Sequence, residues 1–135
     1  FSLDELLKGV EQSLGYKARN AGLELLVQLD PNLPAKITGD PLRLTQILLN
    51  LAGNAVKFTE KGCVQIGVQQ ISRNTETVTV EFKVSDTGIG IPKDKLETVF
   101  DSFTQASHET SRKYGGTGLG LAITKQLVER QGGLI

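Results

Sequence analysis

Residues 46–59 read QILLNLAGNAVKFT. Asp40 and Pro41 stand ahead of this run as an N-cap and first-turn pair, which predicts a helix continuing to about Phe58. On that helix Asn50, Asn54 and Lys57 are spaced four and three apart, so at about 100° per residue they share one face within roughly 60°. An amide oxygen is a hard, neutral ligand suited to Mg²⁺, and an ammonium one turn away suits the phosphate charge that Mg²⁺ accompanies. The same spacing also describes a solvated polar stripe on an amphipathic helix, and these three residues alone do not separate the two.

Upstream, Ser2 and Glu5 form a capping-box pair, and Leu3, Leu6, Leu7, Val10, Leu14 and Ala18 recur at helical spacing until Gly22 offers a stop. Leu23, Leu25, Val27 and Leu29 then alternate as a strand that ends at Asp30, Pro31 and Asn32, and a second short strand is expected over Lys36–Thr38. Downstream, Val64, Ile66 and Val68, a polar turn at Ser72 to Glu76, and Val78, Val80, Phe82 and Val84 give a hairpin signal. A glycine-rich loop at Asp86 to Pro92 leads into a short helix expected from about Asp94 to Phe100, followed by a polar stretch, Ser102 to Tyr114, that reads as a loop. A second glycine cluster opens a last helix, which should stop at Gly132 or Gly133, and Leu134 and Ile135 look like the start of another strand. Helices and antiparallel strands in separate groups argue for an α+β sandwich, one sheet with helices packed on one face.

With 135 residues, one domain covering 1–135 is the expectation. Fifteen basic residues balance fifteen acidic ones, so no overall field would hold the chain on nucleic acid or an anionic membrane, and a bound polyanion must be held by a local site. Cys63 is the single cysteine, which excludes an internal disulfide framework and fits a reducing, cytoplasmic compartment. No run approaches the ~18 consecutive apolar residues of a membrane span.

Asp86 is in phase with Val78, Val80, Phe82 and Val84, so its carboxylate is expected on the side of the apolar row. Ionised, it only accepts hydrogen bonds, and the exocyclic amine of adenine is a suitable donor in an apolar pocket. Equally, Asp at a strand end commonly caps the next turn, here through Thr87 and Gly88. Gly88 and Gly90 in DTGIGIP, and Gly115, Gly116, Gly118 and Gly120 in YGGTGLGL, leave backbone unobstructed for a flat ring or a phosphate. Because the second cluster opens a helix, its N–H groups and the helix dipole make an anion site. Neither cluster has the spacing of the dinucleotide fingerprint or of the P-loop.

Four segments settle the reading by their order. QILLNLAGNAVKFT at 46–59, VSDTGIGIP at 84–92, VFDSF at 99–103 and RKYGGTGLGLAI at 112–123 resemble the asparagine, first glycine, phenylalanine and second glycine boxes of the histidine-kinase ATP-binding domain. That domain belongs to a superfamily shared with gyrase, mismatch-repair ATPases and a heat-shock chaperone, and the resemblance is strongest to hybrid sensor kinases. It implies a Bergerat-type α/β sandwich with a mixed sheet, ATP and Mg²⁺ as cofactors, and histidine kinase activity of which this chain holds only the catalytic ATP-binding part. Carried over, it makes Asn54 the Mg²⁺ ligand, Asn50 and Lys57 phosphate contacts and Asp86 the acceptor for the adenine amine. Gly88 and Gly90 would line the base, and Gly116, Thr117, Gly118, Leu119 and Gly120 the phosphates. Lys113 and Tyr114, with Arg112, are candidates for lid contacts, and Phe100 and Phe103 for lid anchors.

The resemblance further implies transfer of the γ-phosphoryl group to a histidine on separate dimerisation helices of the same protein, with a response-regulator receiver domain as a further partner. A cytoplasmic domain of a membrane-anchored sensor kinase is expected, without nucleic acid and without membrane contact of its own. His108 stands outside any sequence like the family's phosphoacceptor motif, and relative to the family the chain looks shortened at its C-terminal end. Hydrolytic members carry a glutamate four residues before the metal-binding asparagine, where this chain has Asn50, and an amide cannot take a proton at neutral pH. Kinase is thereby favoured over a gyrase-like or mismatch-repair-like ATP hydrolase, and the intact boxes stand against the other alternative, a nucleotide-sensing module without transfer.

Overall fold

The computed structural model describes residues 1–96, 98–100 and 120–135. Helix α1 runs Leu3–Asn20, strand β1 Glu24–Leu29, helix α2 Pro41–Lys57, strand β2 Cys63–Arg73 and strand β3 Val78–Asp86; a 3-10 turn covers Lys93–Lys95 and helix α3 Gly120–Arg130. At the start of α1 the Ser2 hydroxyl accepts from Glu5 N at 3.3 Å, and at the start of α2 the Asp40 carboxylate accepts from Arg43 N at 3.1 Å. Both caps satisfy N–H groups that the helices leave without partners. At the other end of α1, Gly22 N donates to Arg19 O and Leu23 N to Ala18 O, with Gly22 at φ 72°. This Schellman closure turns the chain directly into β1, and Leu23 packs beside Ala18.

The sheet has the order β1-β2-β3, parallel between β1 and β2 and antiparallel between β2 and β3. Leu6, Leu7, Val10 and Leu14 of α1 meet Leu48 and Ala52 of α2 and Ile66 and Val68 of β2, so both helices lie on one face. The opposite face is polar: Gln65 donates to Gln28 and Gln69 to Glu81 across neighbouring strands. Helix α3 packs on α2 and buries Ala122 and Thr124. The fold is therefore α+β, a mixed sheet covered by helices on one side, as expected.

Three local expectations are corrected. Lys36–Thr38 forms no strand; Ile37 instead exchanges backbone hydrogen bonds with Phe1, at 2.9 Å in each direction. A helix over Asp94–Phe100 is replaced by the 3-10 turn and by bonds from Thr98 and Val99 back to Lys95 O. Leu96 there is 53% exposed and Phe100 only half-buried while Val99 is buried, so the described residues bury little apolar surface to hold a short helix on a core. Leu134 and Ile135 form no strand: α3 ends in a second Schellman closure at Gly132, and no neighbouring strand pairs with them among the described residues.

Candidate functional site

The polar face of α2 opens on a groove of about 360 Å³ lined by Asn50, Asn54 and Lys57, with Gly53 between them and Gly120 contributed by the first turn of α3. Leu49 and Val56 supply its apolar wall, and Lys17 reaches it from the last turn of α1. Four residues singled out from sequence are thus brought together from two helices. Asn50 Nδ2 donates to Thr124 Oγ1 at 3.2 Å, and the Thr124 hydroxyl donates to Gly120 O at 2.9 Å. Thr124 is fully buried, so this chain of bonds fixes the start of α3 against α2. Asn54 is half-buried, and its side-chain amide has no hydrogen-bond partner among the described residues. Lys57 Nζ lies 5.3 Å from the centre of the Phe58 ring.

Asp86, Gly88 and Gly90 stand not on this groove but at the C-terminal end of α2. Asp86 pairs in register with the buried Val64, which puts it on the helix-facing side at the edge of the core. Its Oδ1 accepts from Gly88 N at 2.7 Å, the turn-capping arrangement, while Oδ2 has no hydrogen-bond partner among the described residues. A Cβ on Gly88 would sit 2.5 Å from Phe58 O and 2.9 Å from Thr59 Oγ1, so the loop rests directly on the residues that end α2 and only glycine fits. Ile89 N donates to Phe58 O at 3.3 Å in the same contact. Asn54 lies four residues back from Phe58, about 6 Å along the axis, so one helix connects loop and groove. Gly90 holds a positive φ of 74° with open space around it.

Lys113, Tyr114, Gly116, Thr117, Gly118 and Leu119 lie outside the described residues, as do Phe103, His108 and Arg112. Phe100 is half-buried next to the buried Val99. Sequence reasoning passed over Lys17, Thr59 and Thr124, and read Thr87 only as part of the turn after Asp86. The Thr59 hydroxyl donates to Ala55 O and faces Gly88; Thr87 Oγ1 accepts from Cys63 N and donates to Lys61 O, stapling the loop to the turn before β2. Thr59 stood inside a stretch that was read, but nothing periodic marks Lys17 or Thr124, which reach the groove through contacts distant in sequence.

Among the described residues the groove lining holds two ammonium groups and no carboxylate, and no cluster of His, Cys, Asp and Glu is arranged to hold a metal. Two lysines, two amides and the N–H groups at the start of α3 suit a polyanion. A bound Mg²⁺ would find amide oxygens but no carboxylate in the described lining, which fits an ion that keeps its waters and binds mainly to phosphate.

The model of the histidine kinase-, DNA gyrase B- and HSP90-like ATPases matches residues 39–135. The chain belongs to this family. Within the family it is 44% identical over 133 residues to the signal transduction histidine-protein kinase BarA of Escherichia coli, covering 98% of this chain and 14% of BarA. It is 41% identical over 142 residues to the hybrid signal transduction histidine kinase A of Dictyostelium discoideum, covering all of this chain and 7% of that one. Full-length ShkA, solved in complex with AMPPNP, superposes with a TM-score of 0.80 at 36% identity over 98% of this chain and 26% of ShkA. The α+β layers are those of the Bergerat fold, and the chain corresponds to the catalytic ATP-binding domain of histidine kinases, hybrid kinases among them. The family match contains every residue from Asn50 to Gly120 singled out above, whereas Lys17 precedes it. No helix of the described residues is long and apolar enough to cross a membrane.

Proposed function

We propose that residues 1–135 form one nucleotide-binding domain that holds Mg²⁺–ATP and presents its γ-phosphoryl group to a histidine on separate dimerisation helices of the same protein. The observation that carries this reading is the groove over α2: cationic, lined by Asn50, Asn54 and Lys57, and without a carboxylate among its described lining. Asn54 would hold the metal, which when bound neutralises charge on the phosphate oxygens. Lys57 faces the phosphates, and Asp86 Oδ2 accepts from the adenine amine while Oδ1 keeps its bond to Gly88 N. Lys113 and the segment Gly116–Gly120 complete the phosphate side, with Tyr114 as the aromatic lid contact to adenine.

With Asn50 in place of an acid, the pocket holds no base of its own on α2 to activate water. ATP is therefore kept for a nucleophile that arrives from outside. An imidazole nitrogen attacks the γ-phosphorus, an N–P bond forms as the bond to the β–γ bridging oxygen breaks, ADP leaves, and the imidazole proton passes to a base on the helices. This domain contributes orientation and charge neutralisation. A receiver domain would take the phosphoryl group next, in a phosphorelay on the cytoplasmic side of a membrane-anchored sensor. The test mixes the chain with the dimerisation helices and γ-labelled ATP. Acid-labile phosphate on the helices is expected, and release of free phosphate at an equal rate without them would favour the hydrolase.

A further inference from the structure

The ATP groove has a wall that no box motif supplies. Lys17 sits in the last turn of α1, more than thirty residues from the nearest α2 residue of the groove, yet it lines the same space as Asn54 and Lys57. Among the described residues Lys17 makes no ion pair. Gly53 lines the same groove. A Cβ built on Gly53 meets nothing within 4 Å, so packing does not require glycine there, and its effect is to leave the groove floor as bare backbone. A lysine stem of four carbons spans such a floor, and its ammonium is a point charge that needs no fixed fork geometry to meet phosphate oxygens.

We propose that Lys17 is a further phosphate-binding residue of this site, meeting the polyphosphate chain of the nucleotide from the α1 side while Gly120 and α3 bound the other. The proposal rests on the ATP-binding reading and adds to it a cation outside the span that matches the family. Its alternative is a solvated lysine that only complements the C-terminal dipole of α1.

Calorimetric titration of the protein with adenosine, ADP and ATP, for wild type, Lys17→Gln and Lys17→Arg, decides between them. Lys17→Gln should bind ADP and ATP about three- to fivefold more weakly, the scale of one exposed ion pair. Adenosine affinity should not change, Lys17→Arg should restore the nucleotides, and the salt dependence of ATP binding should be shallower in Lys17→Gln. Unchanged ADP and ATP affinity in Lys17→Gln, or an equal loss for adenosine, overturns the proposal and leaves the ATP site standing. A wild-type protein that binds none of the three overturns the ATP site and this contact with it.

Discussion

Asn50 donates to Thr124 across the α2–α3 contact, and Thr124 has no hydrogen to give in return. Its hydroxyl proton is used on Gly120 O, so toward residue 50 Oγ1 can only accept. The side chain at 50 must therefore be a donor. An amide meets that demand and an ionised carboxylate does not, so Asn50 secures the helix whose first turn borders the groove.

Asn50→Asp is expected to lower stability by about 1–3 kcal/mol, the cost of leaving a buried hydroxyl oxygen facing a second acceptor. The unfolding midpoint in urea, without nucleotide, measures it. Thr124→Val should cost less when combined with Asn50→Asp than alone added to it, because the two share one bond. Strict additivity would show that the pair does not couple the helices.

The end of β1 carries a pH-sensitive tie. Asp30 accepts from the backbone N–H groups of Asn32 at 2.9 Å and Gln70 at 3.0 Å, and these bonds, Asn32 first, hold its carboxyl below the ordinary 3.8. A carboxyl depressed in the folded state contributes stability that is present above its unfolded value and is lost as pH falls through the folded one. Urea midpoints taken from about pH 5 down to about pH 2 should fall more steeply for the wild type than for Asp30→Asn. Equal slopes would remove Asp30 as a link between β1 and β2.

Most of the helix and strand boundaries were legible because local chemistry sets them: Ser2 and Asp40 cap, Gly22 and Gly132 terminate, and Val64 to Val84 alternates. The parallel pairing of β1 with β2 was not, since Glu24 meets Cys63 only after α2 has carried the chain across. The site divides along the same line. Asn50, Asn54 and Lys57 share a face by helical geometry alone, whereas Lys17 and Thr124 join them through packing of other helices, which leaves no trace in spacing. Lys36–Thr38 is not a strand among the described residues: its backbone bonds run to Phe1, a contact distant in sequence that spacing does not show.

Asp86 offers a clean separation of two roles. In Asp86→Asn the amide oxygen can still accept from Gly88 N, so the turn is kept, while the second atom changes from acceptor to donor. ATP and ADP affinity should fall by about 1.5–3 kcal/mol, with GTP far less affected. Calorimetry with the three nucleotides checks this. Undiminished ATP affinity would leave Asp86 as a turn cap and nothing more.

Asn54 provides the sharpest test of the metal. Its half-buried amide has no protein partner among the described residues, and alanine is the better helix former, so Asn54→Ala should leave α2 intact. On the proposed reading the base is recognised by Asp86, on the loop that rests against Phe58 and Thr59 about 6 Å further along the helix axis, and that recognition should persist. What disappears is the part of ATP affinity that depends on Mg²⁺, on the order of 1.5–3 kcal/mol for one ligand to a charged group. Titrations of ATP with Mg²⁺ and with EDTA, on wild type, Asn54→Ala and Asn54→Asp, read it directly. The aspartate variant should retain a metal effect while binding metal-free ATP more weakly, because its carboxylate then faces phosphate without the cation between them. A metal effect of wild-type size in Asn54→Ala would move the ion off α2 altogether.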